Sequence, residues 1–425
     1  MTNPGIDRNS TNKPVLFVTG HAPFDRVGAF ARLHEQEGVE FALFGGRSLH
    51  GGTTGDDHEG LPFPHKHVHQ HQLAALAASG QHRAVVLSTG GRVALPAAWA
   101  GARRAGVPVI LWSALWAHPR TAAHAFSYLA LRRLYRSADA VVVYGPHVEA
   151  YVRARGAHNV HIAPQSVDNE FWSLPLTAPD ASPPTTPGTP SAPETPGRPA
   201  TSATHPGWPP EAAVKFLFAG RPVREKGLGV LIEAWSDSGL HAPSAALVLV
   251  GVGSIPPWVP AGGAVGRGVA AWRGAAHRTT GRGALEKTMP LDVICLDPLP
   301  PPHLRKIYAA SDVLVVPSIP TRTFREPWGL VVNEAMNRKL PVIASDAVGA
   351  VAGGLVRDGH NGLVVPAGDP RALAGAMRRL AADAQLRARL GAAGERDVQG
   401  YTHDAWARGF VRALGSLGLS RGGRW

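Results

Sequence analysis

The sequence contains a single cysteine, Cys295, and no apolar run long enough to span a bilayer. One cysteine excludes an internal disulfide bond and is typical of a reducing compartment. A spanning helix needs about 18 apolar residues, whereas the longest apolar stretch, 107–117, is interrupted by Pro108 and Ser113. Residues 1–13 are polar and lack an apolar signal core. We therefore expect a protein of the cytoplasm or of the cytoplasmic membrane face.

A concentrated basic region is also absent, although the chain is basic overall. Lysine and arginine outnumber aspartate and glutamate by 43 to 31, a net charge of +12. No block of five basic residues and no aromatic–basic platform occurs, which argues against a nucleic-acid partner. The charge fits an anionic small molecule, a lipid surface or an ordinary solvated surface. No G-x-G-x-x-G follows the first strand of either half, which argues against a dinucleotide-dependent oxidoreductase.

Apolar runs that alternate with amphipathic segments predict two α/β domains with parallel sheets. The length of 425 residues also exceeds one ordinary core. In the first half we predict strands at 15–19, 39–44, 84–88, 109–112, 140–143 and 160–163, and helices at 93–105 and 122–137. In the second half we predict strands at 216–219, 246–250, 293–296, 313–316, 342–344 and 363–365, and helices at 228–235, 302–310, 330–337, 371–381 and 402–417.

A stretch rich in proline, threonine and serine separates the two halves. Residues 177–210 hold too few large apolar side chains to offset chain entropy, which predicts a linker. The predicted domains are therefore 1–176 and 211–400, followed by a terminal helix within 401–425. Residues 255–289, rich in glycine, arginine and proline, predict an irregular loop or insertion. Ligands of such domains bind in the cleft at the carboxyl ends of the strands.

Two carboxylates of the second half fall at such a strand end. Glu326 and Glu334 are eight positions apart, with Gly329 and Leu330 opening a predicted helix between them. Glu326 lies in the loop before this helix, whose free N–H groups attract an anion. Glu334 lies further along the helix, where it would reach hydroxyl groups of the same ligand.

The surrounding segment, PSIPTRTFREPWGLVVNEAMNRKLPVIAS, resembles the donor-binding motif of family 4 (group 1) retaining glycosyltransferases. The resemblance extends, in the family's order, to FAGRPVREKGLGVLIEAW, LVLVGVGS, LRKIYAASDVLVVPS and VRDGHNGLVVPAGDPRALAGAM, and covers most of the second domain. It implies a GT-B fold, in which two Rossmann-like parallel α/β domains face a central cleft. It also implies that the second domain binds a nucleotide sugar and that the last helix returns to the first, acceptor-side domain.

The resemblance implies a donor-binding set of Gly220, Arg221, Lys226, Gly251, Gly253, Glu326, Gly329, Leu330 and Glu334. Arg221 and Lys226 would hold the diphosphate, because a departing diphosphate gains negative charge that two cations stabilise. Glu334 would bind the ribose hydroxyls and Glu326 the sugar hydroxyls, while the amides of Gly329 and Leu330 reach the sugar or distal phosphate. The alternative for these charged side chains is an ordinary solvated surface.

The first domain departs further from the family. His118 follows the fourth predicted strand, where relatives often carry a polar group near the sugar. We therefore add His118 to Glu326, Lys226 and Arg221 as a candidate catalytic residue. His21 after the first strand is its rival, and either could be an ordinary loop histidine. The family's Gly-Gly pair is missing there, so the acceptor is unknown. Residues 164–168 resemble the interdomain segment and predict a hinge.

Histidines alternate at His65, His67, His69 and His71, and with Asp56, Asp57 and Glu59 upstream could hold a transition metal. We favour a polar loop without metal, because GT-B transferases generally need none, and we expect no cofactor besides the donor. The helix 122–137 carries Arg132, Arg133 and Arg136, which could face a membrane. Its alternative is a helix packed by its leucines, with the arginines in water.

The resemblance as a whole implies transfer of a hexosyl group from a UDP- or GDP-sugar to an acceptor hydroxyl, with retention of anomeric configuration. Many relatives glycosylate lipid-linked acceptors in bacterial glycan or glycoconjugate synthesis. Two alternatives are kept: a catalytically silent nucleotide-sugar-binding protein, and a nucleotide-sugar epimerase.

Overall fold

The computed structural model describes residues 12–45, 60–176, 213–259, 269–271 and 293–422. The predicted linker at 177–210 lies outside the described residues, as do Asp56, Asp57, Glu59 and most of 255–289. The described chain contains two sheets of seven strands each, and all their strand pairs are parallel.

The first sheet has the strand order β3-β2-β1-β4-β5-β6-β7. Its strands are β1 (Val15–Thr19), β2 (Val39–Leu43), β3 (His65–His67), β4 (Ala84–Ser88), β5 (Val109–Ser113), β6 (Ala140–Val143) and β7 (Val160–Ile162). Around it lie α1 (Phe24–Glu37), α2 (Leu73–Ala77), α3 (Ala94–Arg104), α4 (Ala122–Ser137), α5 (Pro146–Arg153) and α6 (Asn169–Ser173). The central strands are nearly continuous runs of buried apolar residues, because helices cover both faces of the sheet.

The second sheet has the strand order β10-β11-β9-β8-β12-β13-β14. Its strands are β8 (Val214–Ala219), β9 (Ala245–Val250), β10 (Val269–Ala271), β11 (Val293–Leu296), β12 (Val313–Val316), β13 (Val342–Ser345) and β14 (Gly362–Val365). The helices are α7 (Leu228–Ser238), α8 (Pro301–Ala309), α9 (Val331–Met336), α10 (Gly349–Ala352), α11 (Pro370–Ala382), α12 (Ala384–Val398) and α13 (His403–Ser416).

Two local predictions are corrected by these elements. His65–His67 forms the edge strand β3, paired with β2, where we favoured a polar loop. Within the predicted irregular stretch, Val269–Ala271 forms β10 and pairs with β11. Both strands are three residues long and lie at sheet edges, so pairing with a longer neighbour decides their conformation rather than their own apolar pattern.

The last helix, α13, packs against the first domain although it follows the second in sequence. Thr402 caps its start by accepting a hydrogen bond from the Ala405 amide. Trp406 and Phe410, both buried, enter the aromatic cluster around Phe17, whose ring centroid lies 5.5 Å from that of Phe410. The aromatic core of the first domain is therefore completed by a segment from the opposite end of the chain.

Candidate functional site: the donor side of the interdomain cleft

Lys226 is held beside Glu326 by the way α7 begins. Gly227 has φ +72°, and a Cβ there would lie 1.9 Å from the Pro317 carbonyl oxygen, so only glycine allows this close approach to the end of β12. Lys226 Nζ consequently lies 2.5 Å from Glu326 Oε2. The Ser318 hydroxyl donates to the same oxygen at 3.3 Å. Glu326 is only 6% exposed, so its carboxylate depends on these two donors.

Glu334 lies on α9 and is bound by a tyrosine of the neighbouring helix. The Tyr308 hydroxyl on α8 donates to Glu334 Oε2 at 2.7 Å. Burial raises the pKa of Glu334 to about 7, against the opposing effect of the tyrosine hydrogen bond. The negative charge of Asp25 at the start of α1 raises this pKa further. The first turn of α1 thus lies close enough to Glu334 to act on its ionisation.

The loops after β8 and β9 bring backbone groups to the same sheet edge. The Gly220 amide donates to the Val250 carbonyl at 3.0 Å, and the Gly251 amide donates to Leu296 at 2.9 Å. A Cβ at Gly251, where φ is +85°, would lie 2.7 Å from the Gly220 carbonyl oxygen, so the two loops touch through backbone alone. Gly253 follows, also with positive φ, at +61°. Arg221 is exposed beside them and forms no ion pair with a described residue.

Gly329 and Leu330 form the turn between Glu326 and α9. Gly329 has φ +90°, and the helix begins at Val331, one residue later than predicted. The Val332 amide donates to the Gly329 carbonyl at 3.0 Å. Neither the Gly329 amide nor the Leu330 amide donates to a described residue. Both are available to an anionic or hydroxylic ligand.

A known protein family matches the second domain. Residues 207–397 match the model of the family described as glycosyl transferases, group 1. The second domain belongs to the group 1 glycosyl transferases. The predicted family is thereby confirmed.

The alignments with named relatives cover only part of each relative's length. The chain is 34% identical over 195 residues to a D-inositol 3-phosphate glycosyltransferase of Nocardioides. This alignment covers 45% of this chain and 39% of that protein. With the enzyme of the same name from Corynebacterium kroppenstedtii it is 32% identical over 187 residues, 43% of this chain and 36% of that protein. The chain therefore spans well under half of the curated relatives that it matches.

Solved structures match over nearly the whole chain. HepE of Anabaena, solved with UDP and glucose, has a TM-score of 0.64 at 16% identity and covers 95% of this chain and 100% of its own. Sucrose-phosphate synthase of Thermosynechococcus elongatus has a TM-score of 0.62 at 19% identity, covering 96% of this chain and 99% of its own. At such identities the likeness concerns the fold, and the fold is GT-B, as predicted.

The loop between β12 and α9, residues 317–330, is called the Glu326 loop here. The first domain contacts this loop of the group 1 transferase domain from across the cleft. The Trp116 indole N–H donates to the Glu326 carbonyl at 3.0 Å. His147 Nε2 donates to the Pro327 carbonyl at 3.1 Å, and burial lowers the pKa of His147, which favours the neutral ring. Trp116 and His147 lie after β5 and at the start of α5, respectively. Sequence analysis missed both, because nothing local marks a side chain that crosses a cleft.

The predicted hinge segment is buried at residues 165–167 and contacts both domains. Asn333 Nδ2 donates to the Gln165 carbonyl at 3.1 Å. The Ser166 hydroxyl lies 3.2 Å from His403 Nδ1, and Val167 packs into the core of the group 1 transferase domain. Its role as a hinge stays a prediction.

His118 is engaged within its own domain. Its Nε2 lies 2.7 Å from the His124 carbonyl oxygen, and its Nδ1 lies 3.3 Å from the Tyr151 hydroxyl. Because a carbonyl oxygen only accepts, Nε2 is the donor in the first of these contacts. His21 lies at a separate pocket of the first domain, with Thr19, Arg26 and Trp112. The catalytic role predicted for His118 stays a prediction and would require an exchange of one of these bonds.

The histidine run and the basic helix have ordinary surroundings where they are described. No group of three or more potential metal ligands occurs in the described part of the chain. On α4, Tyr135 is buried and Leu131 and Leu134 pack on the core, whereas Arg132, Arg133 and Arg136 are exposed.

None of the helices that the structure describes is both long and apolar enough to traverse a bilayer.

Proposed function

We propose that this protein transfers a hexosyl group from a UDP- or GDP-sugar to an acceptor hydroxyl, with retention at the anomeric carbon. The observation that carries the proposal is the placement of Lys226, Glu326 and Glu334 at one sheet edge of a group 1 transferase domain. A lysine bound to a buried carboxylate and a second carboxylate of raised pKa suit a ligand that combines phosphates with hydroxyl groups. The UDP in the Anabaena HepE structure is in keeping with this ligand class.

In this proposal each side chain serves one part of the donor. Lys226 and Arg221 bind the diphosphate, since an ammonium group has three donors and can hold a phosphate oxygen while it contacts Glu326. Glu326 accepts hydrogen bonds from the sugar hydroxyls and Glu334 from the ribose hydroxyls. The free amides of Gly329 and Leu330 donate to the sugar or the distal phosphate.

The chemical step forms a bond between the acceptor oxygen and the anomeric carbon and breaks the bond from that carbon to the phosphate oxygen. The departing phosphate oxygen receives the acceptor's proton on the donor's front face, so the proposal needs no strong protein base. Lys226 and Arg221 stabilise the charge that develops on the leaving diphosphate. No cofactor or metal enters this proposal.

A peripheral membrane contact through α4 is a secondary part of the proposal. Leu129 on this helix is 67% exposed, next to the exposed Arg132 and Arg133. Apolar and cationic side chains on one exposed surface suit the interface of an anionic membrane, which would place the protein at the cytoplasmic face.

The decisive experiment titrates the purified protein with UDP, GDP and ADP, and then supplies the matching nucleotide sugar with and without acceptors. Saturable binding of one diphosphate and acceptor-dependent release of that diphosphate support the transferase. D-inositol 3-phosphate belongs among the acceptors because the matched relatives carry it in their name. Nuclear magnetic resonance of the product reports its anomeric configuration.

The same experiment separates the alternatives. Binding without turnover on any acceptor would favour the silent binding protein, and an altered sugar without acceptor would favour the epimerase. Failure of the folded protein to bind any of the three diphosphates would overturn the donor site.

A further inference from the structure

A cavity of about 800 Å³ lies between the domains beside the Glu326 loop, and arginines line it from both sides. Arg120 and Arg155 come from the first domain, and Arg322 and Arg325 from the second. The lining includes no aspartate or glutamate, and none of the four arginines forms an ion pair with a described residue. Four guanidinium groups that share one cavity repel each other unless an anion is bound among them.

Two of these arginines are held in place by aromatic rings. The Arg325 guanidinium carbon lies 3.8 Å from the Trp116 ring centroid, and that of Arg155 lies 3.4 Å from the Tyr151 ring centroid. The Nε–H groups of both are buried and meet no acceptor in the described chain. Stacking on rings orients such planar groups in advance, which suits recognition of an anion.

The cavity adjoins the proposed site of sugar transfer. Arg325 directly precedes Glu326, and Trp116 in the cavity wall donates to the Glu326 carbonyl. The Arg120 amide also donates to the Arg322 carbonyl across the cleft at 2.5 Å, so the backbones of the two domains meet at this cavity. Most of the lining belongs to the first domain, and neither Lys226 nor Arg221 is part of it.

We propose that this arginine cavity binds a phosphate group of the acceptor, an inference that rests on the proposed function. A single carboxylate carries one negative charge, too few to balance four arginines. A phosphate monoester carries up to two negative charges and a diphosphate can carry more, and both offer several oxygens as hydrogen-bond acceptors. The phosphate belongs either to a soluble phosphorylated sugar or polyol or to the headgroup of a lipid-linked acceptor. Bound there, it fixes the distance between the acceptor hydroxyl and the donor sugar.

The test uses calorimetry with inorganic phosphate and pyrophosphate on protein saturated with the nucleoside diphosphate that it prefers, so that the donor site is filled. The pocket variant is Arg120→Ala combined with Arg322→Ala, both exposed residues. The matched control is Arg371→Ala combined with Arg379→Ala on the exposed face of α11, which removes the same charge. Thermal unfolding checks that both variants are folded.

We expect the unaltered protein and the control to bind pyrophosphate alike and the pocket variant to bind it at least about tenfold more weakly. Equal binding by all three proteins, or no binding at millimolar concentrations, overturns the proposal. Two further arms identify the source of the phosphate: glucose 6-phosphate against glucose, and phosphatidylcholine vesicles with and without phosphatidic acid. Binding lost in the pocket variant in one arm assigns the phosphate to that source.

Failure of the proposed function is recognised separately. If the protein binds no nucleoside diphosphate but binds pyrophosphate through the arginines, the transferase proposal fails and the cavity stands as an anion site. If nucleotide binds and pyrophosphate does not, only the cavity proposal fails.

Discussion

The two domains share one architecture and differ in what their strand ends present to the cleft. In each sheet the first strand of the domain lies centrally, β1 between β2 and β4, and β8 between β9 and β12. The second domain presents carboxylates and a lysine, Glu326, Glu334 and Lys226. The first presents histidines, arginines and a tryptophan indole. The sheets thus supply positions, while the loops after the strands decide the chemistry.

Their cores differ as well. The first domain buries stacked aromatic rings and needs α13 from the far end of the chain to complete them. The second buries mainly leucine, valine and alanine on one face of its sheet, and on the other face it also takes in Val167 and Trp172 from the first half of the chain. The comparison therefore predicts that donor binding depends on second-domain side chains, and that the first domain contributes by holding the Glu326 loop. Four substitutions or conditions test this division.

Loss of Lys226 should have the largest effect. Lys226→Ala removes the cation that would stabilise the leaving diphosphate, so we expect kcat to fall roughly 10²–10³-fold. The measurement is acceptor-dependent release of nucleoside diphosphate. Lys66→Ala on the edge strand β3 is the control and should keep full activity. A folded Lys226→Ala protein with normal kcat would remove Lys226 from the site.

Substitution of Glu334 should follow in size. Glu334→Gln keeps an acceptor for the Tyr308 hydroxyl but loses the charge, so nucleotide affinity should fall about 10- to 100-fold, the range for a charged hydrogen bond. Calorimetric titration measures it. Glu233→Gln, on the exposed face of α7, controls for the substitution itself. Unchanged affinity in Glu334→Gln would place the ribose elsewhere.

The raised pKa of Glu334 makes donor binding pH-dependent. The carboxylate form, which accepts hydrogen bonds from hydroxyls, prevails above a pKa of about 7 and is lost as the pH falls through it. We expect nucleotide affinity to weaken roughly tenfold from about pH 8 to about pH 6, as one proton binds. The terminal phosphate of the nucleotide also binds a proton in this pH range. The pH dependence of nucleotide affinity is therefore compared between the unaltered protein and Glu334→Gln. Parallel pH profiles of the two proteins would exclude Glu334 as the titrating group.

Removal of a first-domain contact should have the smallest effect. Trp116→Phe keeps a ring for Arg325 but loses the hydrogen bond to the Glu326 carbonyl, so we expect kcat/KM to fall about 2- to 10-fold. Trp99→Phe on α3 alters a tryptophan of the same domain that lies outside the cavity lining, and should have no effect. A loss as large as that of Lys226→Ala would show that the first domain takes part in donor binding directly.

Most of the strands and the family could be predicted from the sequence itself. Buried parallel strands are continuous apolar runs, so the strands at 15–19, 84–88, 140–143, 293–296 and 313–316 were predicted with their observed bounds. The chemistry of the second domain was also visible, because Glu326 and Glu334 lie within one strand–loop–helix segment. Local patterns of this kind need no knowledge of distant contacts.

Tertiary structure alone decided the rest. The edge strand β3 exists because β2 pairs with it, and Trp116 and His147 matter because another domain lies opposite them. Tyr308 meets Glu334 from a separate helix, and burial there, which no sequence pattern displays, raises the carboxyl pKa. The four arginines of the cavity are spread from position 120 to position 325 and lie together only because the two domains pack against each other. Sequence encodes each element through local periodicity, whereas burial, ionisation and cross-cleft contacts depend on which elements become neighbours.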